Sequence, residues 1–310
     1  MFIGLLGLHA PTASAQSLQD ILFGRAQRQA QGALAVFGIS AIPSETASTL
    51  QLEIDTATEN RYEFVAGQLG GGFTISESFP LYLEGFIGYN RYDPTLLLTR
   101  GAEVSRLPLK WTSVSATGGI GWDFKITDDL ILRPMVHIAA GRVQTDLSVA
   151  GTFVANRLGL DVSFLESGGF WVGGLGGSLG LQYNHRWEND YEVDATLKYT
   201  HIRLEPIAGE KDLSASADAA TAALWTRLRV PTGLDLFQRP VRWVFEASGA
   251  YLPGDQGKAL EAEWLGQVGS GIEIDLEKTF VPLVTTTRLV ARYTFGENLT
   301  GFSIGLAASF

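Results

Sequence analysis

The four histidines are the side chains of this chain best suited to act as a general base or a metal ligand near neutral pH. His9 lies in an apolar N-terminal stretch, and His185 lies in a predicted turn. His137 has the same strand parity as Arg133, whereas His201 has the parity of the apolar side chains of its strand. No spacing of histidine, acidic and glycine residues is typical of a metal, phosphate or dinucleotide site. We therefore predict no metal and no cofactor.

Residues 199–201 read Tyr-Thr-His, which resembles part of the catalytic motif of the outer-membrane phospholipases, a family of twelve-stranded barrels. In that family a serine and Asn-Gly follow the histidine, whereas residues 202–206 read Ile-Arg-Leu-Glu-Pro. An omptin-like protease needs acidic pairs and a histidine at the external rim, and Asp212 and Asp218 lie near one external loop. We predict no catalytic residues. The alternative is an outer-membrane hydrolase of phospholipase or omptin type that acts at the external rim.

His201 and Arg203 lie close together near one end of a predicted strand. If that strand crosses a membrane, both side chains reach the membrane surface. Cationic groups suit the anionic head groups there and form strong hydrogen bonds with phosphate. We predict that the two side chains contact lipopolysaccharide phosphates.

Charged residues occupy one parity of several neighbouring strands. Charges on a buried face need partners, so a ladder of salt bridges is one interpretation of this pattern. A pore lining whose charge sets ion preference is the other. We expect Arg288 and Arg292 to face the acidic residues of the preceding strand. The predicted lumen ladder consists of Arg227, Arg229, Arg242, Glu246, Glu261, Glu263, Glu273, Asp275, Arg288 and Arg292.

A strict period of two runs through the last nine residues, from Phe302 to Phe310, and indicates a β-strand. The same alternation recurs along the chain, with short and long connections in turn, which is typical of outer-membrane barrels. We predict an all-β fold, a membrane-spanning antiparallel up-and-down β-barrel of about twelve strands. The predicted strands are 46–56, 61–75, 79–91, 108–125, 129–143, 168–185, 189–205, 215–230, 240–252, 260–276, 284–296 and 300–310, with long connections at 92–107, 144–168 and 206–216.

Aromatic residues eight positions apart bracket the apolar face of three predicted strands. At ~3.3 Å per residue and a tilt near 40°, eight residues rise about 20 Å, close to the apolar band between the aromatic girdles of membrane barrels. This spacing favours a membrane barrel over a soluble exported β-sandwich. The pairs are Tyr191 with Tyr199, Trp243 with Tyr251, and Phe302 with Phe310.

The N-terminal part precedes the predicted barrel of residues 45–310. Residues 1–15 have the apolar core and small-x-small cleavage site of a signal peptide, although the usual basic start is missing. Residues 16–44 are predicted to be a helical and linker segment, with a helix at 17–31. This segment either rests in the lumen or forms a periplasmic stub or a disordered tail. The strand propensity of 33–44 is not counted as a thirteenth strand. The net charge of −10 argues against nucleic acid, and the absence of cysteine excludes disulfides and thiolate metal sites.

An exported barrel of about twelve strands, with a preceding helical segment and a terminal aromatic strand at 302–310, resembles the translocator domain of autotransporters over residues 17–310. The resemblance implies the outer membrane of a Gram-negative bacterium, with lipids and lipopolysaccharide around the barrel. It also implies insertion by the barrel-assembly machinery, for which Phe302 and Phe310 form the signal. Autotransporters carry a long passenger ahead of the barrel. We expect here a solitary, monomeric, passenger-less barrel with a structural or porin-like transport role.

Overall fold

The computed structural model describes residues 31–45, 48–55, 61–93, 95–100, 103–147, 169–208, 215–236, 239–275 and 286–309. These residues form fourteen strands and two helices. The helices are α1, over 31–41, and α2 (Asp255–Leu260). The strands are β1 (Ser48–Asp55), β2 (Arg61–Thr74), β3 (Leu81–Tyr92), β4 (Thr95–Arg100), β5 (Glu103–Trp122), β6 (Phe124–Lys125), β7 (Leu130–Leu147), β8 (Phe170–Arg186), β9 (Glu192–Ala208), β10 (Ala217–Leu236), β11 (Arg239–Tyr251), β12 (Trp264–Asp275), β13 (Thr286–Gly296) and β14 (Leu299–Ser309).

Twelve of the strands pair in one antiparallel ring, and the other two are short additions to it. The ring is closed by the pairing of β1 with β14, the first strand with the last, and β5 pairs with β7, the next long strand along the chain. β1 is the shortest strand of the ring and begins at Ser48, which pairs with Gly305 on one side and Gln68 on the other. The prediction of a twelve-stranded antiparallel barrel is confirmed, and strand bounds differ from those predicted by a few residues.

One prediction about local structure was wrong. The segment 92–107 was predicted to be a long loop, but β4 pairs with the start of β5, so the β3–β5 connection is largely a hairpin. The described part of the N-terminal segment is helical over 31–41, despite the strand propensity of 33–44. A strand at this position would need a partner for its backbone, whereas a helix satisfies most of its backbone groups internally. The predicted helix at 17–31 lies outside the described residues except at its last position.

Side chains alternate between the two faces of the ring in the reverse of the order found in a soluble protein. The outward face carries large apolar groups, such as Ile138, which is 65% exposed, Ile304, at 63%, and Phe302, at 69%. The inward face carries buried hydroxyl, amide and charged groups. The aromatic residues of the predicted girdles that are described, namely Tyr191, Tyr199, Trp243, Tyr251 and Phe302, are all exposed on the outside. Phe310 lies outside the described residues.

Among the helices of the described residues, none has the length and apolar character needed to cross a membrane.

The two ends of the ring differ. At one end, here called the turn end, strands are joined by short connections such as 75–80, 126–129 and 187–191. At the other end, the loop end, lies the connection that contains α2. The apolar core of the molecule fills the lumen at the loop end, where α1 packs against wall residues of β5, β7, β8, β9 and β10. Charged side chains fill the lumen toward the turn end.

Candidate functional site

The lumen is occupied by α1, whose apolar side chains are buried against the wall. Leu34 and Phe37 are completely buried, and both belong to the apolar core at the loop end. The wall makes room for α1 with glycines: a β-carbon added to Gly141 would lie 2.6 Å from the Phe37 ring. A β-carbon added to Gly88 would overlap the carbonyl oxygen of Ser40. The wall is therefore shaped to hold this helix.

Side chains of the wall also bind the C-terminal end of α1. The last carbonyl groups of a helix have no partner within the helix and need one when they are buried. The hydroxyl of Ser115 donates to the carbonyl of Ser40 at 2.9 Å, and the hydroxyl of Thr117 donates to that of Ala41 at 2.7 Å. The amide of Gln68 donates to the carbonyls of Ser40 and Ile42 at 3.0 and 2.9 Å. These bonds replace the missing helical partners and fix α1 in the lumen.

Asn90 of β3 is a second polar contact to α1. Its side-chain amide donates to the carbonyl of Val36 at 3.0 Å and to the hydroxyl of Ser40 at 2.8 Å. The hydroxyl of Ser113 donates to the Asn90 side-chain oxygen at 2.6 Å and so orients the amide. Asn90 is 1% exposed, so these bonds are shielded from water.

A charged contact follows directly after α1. The Lys198 ammonium of β9 lies 3.5 Å from Glu45, which precedes β1, and 3.7 Å from Glu84 of β3. Lys198 therefore connects the linker between α1 and β1 to two strands of the wall, β9 and β3. The pairing of one cation with two carboxylates, in the lumen, holds the linker as well as the helix.

α2 covers the lumen at the loop end. Leu252 and Leu260 pack with Val36 of α1 and with wall residues in a second apolar cluster. Asp255, at the first position of α2, accepts a hydrogen bond from the backbone of Asp218 at 2.9 Å. Burial alone would raise the pKa of Asp255, but this bond and those of the Lys258 and Gln31 side chains hold the pKa below its ordinary value. The carboxylate thus ties α2 to β10 and to the start of α1.

Below α1, toward the turn end, the lumen contains a cluster of paired charges. Arg227 bonds to Asp194 at 2.8 Å, and Arg229 and Arg242 bond to Glu192 at 2.5 and 2.8 Å. Glu273 contacts Arg242 at 3.0 Å and Arg288 at 3.2 Å, and Arg292 bonds to Glu246 at 2.7 Å. We call this set the ion cluster; its members are Glu192, Asp194, Arg227, Arg229, Arg242, Glu246, Glu273, Arg288 and Arg292.

The predicted ladder and the ion cluster differ at five positions. Glu261 and Glu263 are exposed and lie in the connection between α2 and β12, because β12 begins only at Trp264. The expectation that Arg292 faces the acids of β12 was also wrong, since its partner is Glu246 of β11. Asp275 is the last residue of β12, and its side chain lies outside the described residues. Glu192 and Asp194 were missed, although their strand parity, opposite to that of Tyr191 and Tyr199, signalled an inward position.

Of the other residues named from the sequence, His137 is buried in the lumen, whereas His201, Arg203 and His185 lie apart from the lumen contacts. His201 and Arg203 are exposed, and each is already paired with a carboxylate, Asp218 at 3.2 Å and Glu205 at 2.8 Å. Their contact with lipopolysaccharide stays a prediction. His185 lies at the turn end, 2.8 Å from Asp129. In the described ranges, no group of three or more acidic or histidine side chains has the arrangement of a metal site.

A cavity of about 220 Å³ remains beside α1. Its lining is apolar over most of its area, with Ile39 and Ile42 on the α1 side. The wall contributes polar groups from Lys198, Gln68, Thr196, Thr200 and Thr221. The indole nitrogen of Trp225, in the same lining, has no hydrogen-bond partner among the described residues. α1 therefore narrows the lumen to a small space with a largely apolar lining and a few polar groups, and does not fill it completely.

The apolar outer face, the polar inner face and the complete ring of strands decide the class of this fold. It is an outer-membrane β-barrel. Such a barrel spans its membrane with strands and needs no apolar helix to do so.

Three solved structures similar to this barrel are domains of autotransporters. The β-domain of BrkA from Bordetella has 13% identity, with 85% of this chain and 97% of that chain covered, at a TM-score of 0.47. The translocator domain of NalP from Neisseria meningitidis has 14% identity, with 94% and 98% covered, at 0.46. The transport unit of AIDA-I from Escherichia coli has 14% identity, with 90% and 98% covered, at 0.48. Porins and channels are also among the similar structures.

No protein-family model matches the sequence, and no curated protein matches it.

Proposed function

We propose that this protein is a gated barrel of the Gram-negative outer membrane, in which α1 closes the lumen and its withdrawal opens a path for transport. The turn end faces the periplasm and the loop end faces outward, as in other barrels of this class. Outer-membrane lipids and lipopolysaccharide surround the apolar face, and the barrel-assembly machinery inserts the chain.

The observation that carries the proposal is the way α1 is held. Leu34 and Phe37 make the apolar contacts expected of a plug that fills space, and α1 makes polar contacts with the wall in addition. Here the wall hydroxyls of Ser115 and Thr117 and the amides of Gln68 and Asn90 bind backbone carbonyls of 36–42. Polar bonds of this kind can be exchanged for water when the helix leaves, at a net cost of about 1 kcal/mol each. These polar contacts suit a helix that binds to the wall reversibly.

The ion cluster supports a transport path rather than a solid core. Charges buried in a barrel are costly compared with apolar packing, so their presence calls for a reason other than stability. The ion cluster contains five arginines and four carboxylates. When α1 leaves, the ion cluster lines the narrowest polar part of the lumen. We infer that the open barrel favours anions over cations.

Conductance across a planar lipid bilayer tests the proposal. In Gly88→Ala, the new methyl group overlaps the Ser40 carbonyl, so α1 is displaced. We expect low conductance for the unaltered chain and more frequent and larger openings for the variant. Gly85→Ala is the matched control, because it lies on the same strand and faces open space outside. Equal traces for all three proteins, each shown to be folded by heat-modifiable migration on gels, would exclude α1 as the gate.

A further inference from the structure

Three side chains of the lumen wall lie in the order nucleophile, imidazole, carboxylate. The hydroxyl oxygen of Ser178, on β8, lies 2.8 Å from Nε2 of His137, on β7. The other ring nitrogen of His137, Nδ1, lies 3.3 Å from Oε1 of Glu84, on β3. The 3.3 Å contact does not have hydrogen-bond geometry, and neither Nδ1 nor Oε1 makes a hydrogen bond among the described residues. The order of the three groups is nevertheless that of a serine hydrolase triad, in which the carboxylate orients the imidazole and the imidazole removes the proton of the serine.

The arrangement depends on two inward-facing glycines. β5 separates β3 from β7, and its Gly119 is the register partner of both Glu84 and His137. A β-carbon at Gly119 would lie 2.8 Å from Glu84 Cγ and from His137 Nδ1, so only glycine lets the two side chains meet across β5. On the other side, His137 is paired with Gly176, which leaves space for the ring to reach Ser178.

A cation and a further hydroxyl group lie beside these three side chains. The Lys198 ammonium lies 3.7 Å from Oε2 of Glu84, so the carboxylate faces a cation with one oxygen and the imidazole with the other. Thr200 is the register partner of Ser178. Side chains directly opposite each other in a sheet have β-carbons about 5 Å apart, which places the Thr200 hydroxyl beside the nucleophile.

The triad lies next to the cavity beside α1, although Ser178, His137 and Glu84 do not line it. Thr200 and Lys198, which flank the triad, both line the cavity, and Ser178 keeps 9% of its surface exposed. A volume of about 220 Å³ admits only a small molecule. Small esters are the substrates that match a nucleophile at the edge of a space of this size, because they need no long groove for binding.

We propose that Ser178 is a nucleophile activated by His137 and that it hydrolyses small carboxylic esters in the lumen. The Ser178 oxygen bonds to the ester carbonyl carbon while its proton passes to His137 Nε2. His137 gives this proton to the departing alkoxide, which leaves as the alcohol. Water then attacks the acyl carbon, its proton passes through Nε2 back to the Ser178 oxygen, and the carboxylic acid leaves. The net reaction is ester plus water to acid plus alcohol, and it does not require α1 to move.

The purified full chain, folded in detergent, is treated with a fluorophosphonate probe, and the adduct is located by mass spectrometry. We expect one adduct, on Ser178, and none in Ser178→Ala. His137→Gln slows labelling, and the hydrolysis of p-nitrophenyl acetate, by about 10²-fold or more, the usual contribution of a general base. Ser303→Ala is the matched control, because Ser303 is also a buried lumen serine but has no histidine partner.

The result that overturns the proposal is equally specific. If Ser178 and His137 form only a structural hydrogen bond, the hydroxyl is an ordinary alcohol. No adduct then forms on Ser178, or it forms at the same rate in His137→Gln. Heat-modifiable migration confirms that each variant is a folded barrel before it is labelled, so a lost adduct reports chemistry and not unfolding.

Discussion

Asn90 of the wall donates a hydrogen bond of 3.0 Å to the backbone carbonyl of Val36 inside the barrel. This bond joins β3 to α1 across 54 residues of chain, and Ser113 holds the amide in place. In Asn90→Ala the contacts with Val36, Ser40 and Ser113 are all lost. We expect the docking of α1 to weaken by about 1–3 kcal/mol, the cost of leaving buried polar groups unpaired.

Hydrogen exchange of the backbone amides of α1 measures this change. Protection of 36–42 should fall in Asn90→Ala, whereas the central residues of β7 and β8 should keep theirs. Asn189→Ala, in an exposed turn, is the control and should leave both unchanged. Loss of protection throughout the barrel would contradict a specific role in docking.

Glu273 is the best-connected acid of the ion cluster. It lies within 3.3 Å of Arg229, Arg242 and Arg288 and is 1% exposed. Glu273→Gln leaves these arginines without their shared anion, and removing one partner of a buried ion pair costs about 3–5 kcal/mol. The free energy of unfolding in urea, measured in lipid vesicles, should fall by about 3–5 kcal/mol in this variant.

Glu261→Gln is the matched control for Glu273→Gln. Glu261 is exposed just after α2 and makes no ion pair with the described residues. We expect its unfolding free energy to stay within about 0.5 kcal/mol of the unaltered chain. Equal losses in the two variants would mean that the ion cluster does not act as a coupled unit.

Asp255 makes the stability of the loop end depend on pH. Its pKa is lower in the folded protein than in the unfolded chain, so it stabilises the folded state above the unfolded pKa. That contribution is lost as the pH falls through the folded pKa. We expect proteolysis of the α2 connection to increase as the pH is lowered from 7 to 3, by an acid-tolerant protease. Asp255→Asn should be more readily cleaved at pH 7 and should respond less to pH; an unchanged pH response would refute this role.

A substitution at Ile138 tests whether this part of the outer surface faces the apolar centre of the membrane. It is 65% exposed and lies in the middle of β7. Arginine at the midplane of the lipid-facing side costs about 2–4 kcal/mol, whereas near the membrane surface the cost falls to about 0–1 kcal/mol. Ile138→Arg should therefore lower the unfolding free energy in bilayers much more than Leu234→Arg, near the turn end of β10. Similar losses would place Ile138 away from the apolar centre of the membrane.

Strand alternation alone predicted most of the barrel. β14 shows why: its apolar and small residues alternate without interruption, and each step of two keeps the same face. The period of two also placed Glu273, Arg288 and His137 on the inside. It could not place Glu261, because a strand boundary decides whether a residue faces the lumen, and such boundaries are the least certain part of a sequence-based prediction.

The contacts that define the candidate site were not predictable from the sequence. α1 contacts Ser115 and Thr117, which follow it by 75 and 76 residues. Such contacts depend on how the ring closes and on the register of strands that are far apart in the chain. In the same way, Ser178 and His137 meet because β7 and β8 are paired, while Glu84 reaches them only across Gly119. Local spacing in the sequence points only to residues close to a histidine, such as those beside His201, and not to Ser178, which lies 41 residues from His137.

The most direct test of the account is a cysteine pair between α1 and the wall. The hydroxyl oxygens of Ser40 and Ser115 are 3.2 Å apart, and the chain has no cysteine of its own. Ser40→Cys and Ser115→Cys are combined in the full chain, which is folded in membranes, mildly oxidised and treated with a maleimide mass tag; each single variant is the control. If α1 lies in the lumen, the pair forms a disulfide and stays untagged until it is reduced. Two tags on the oxidised, folded protein would contradict a plugged barrel.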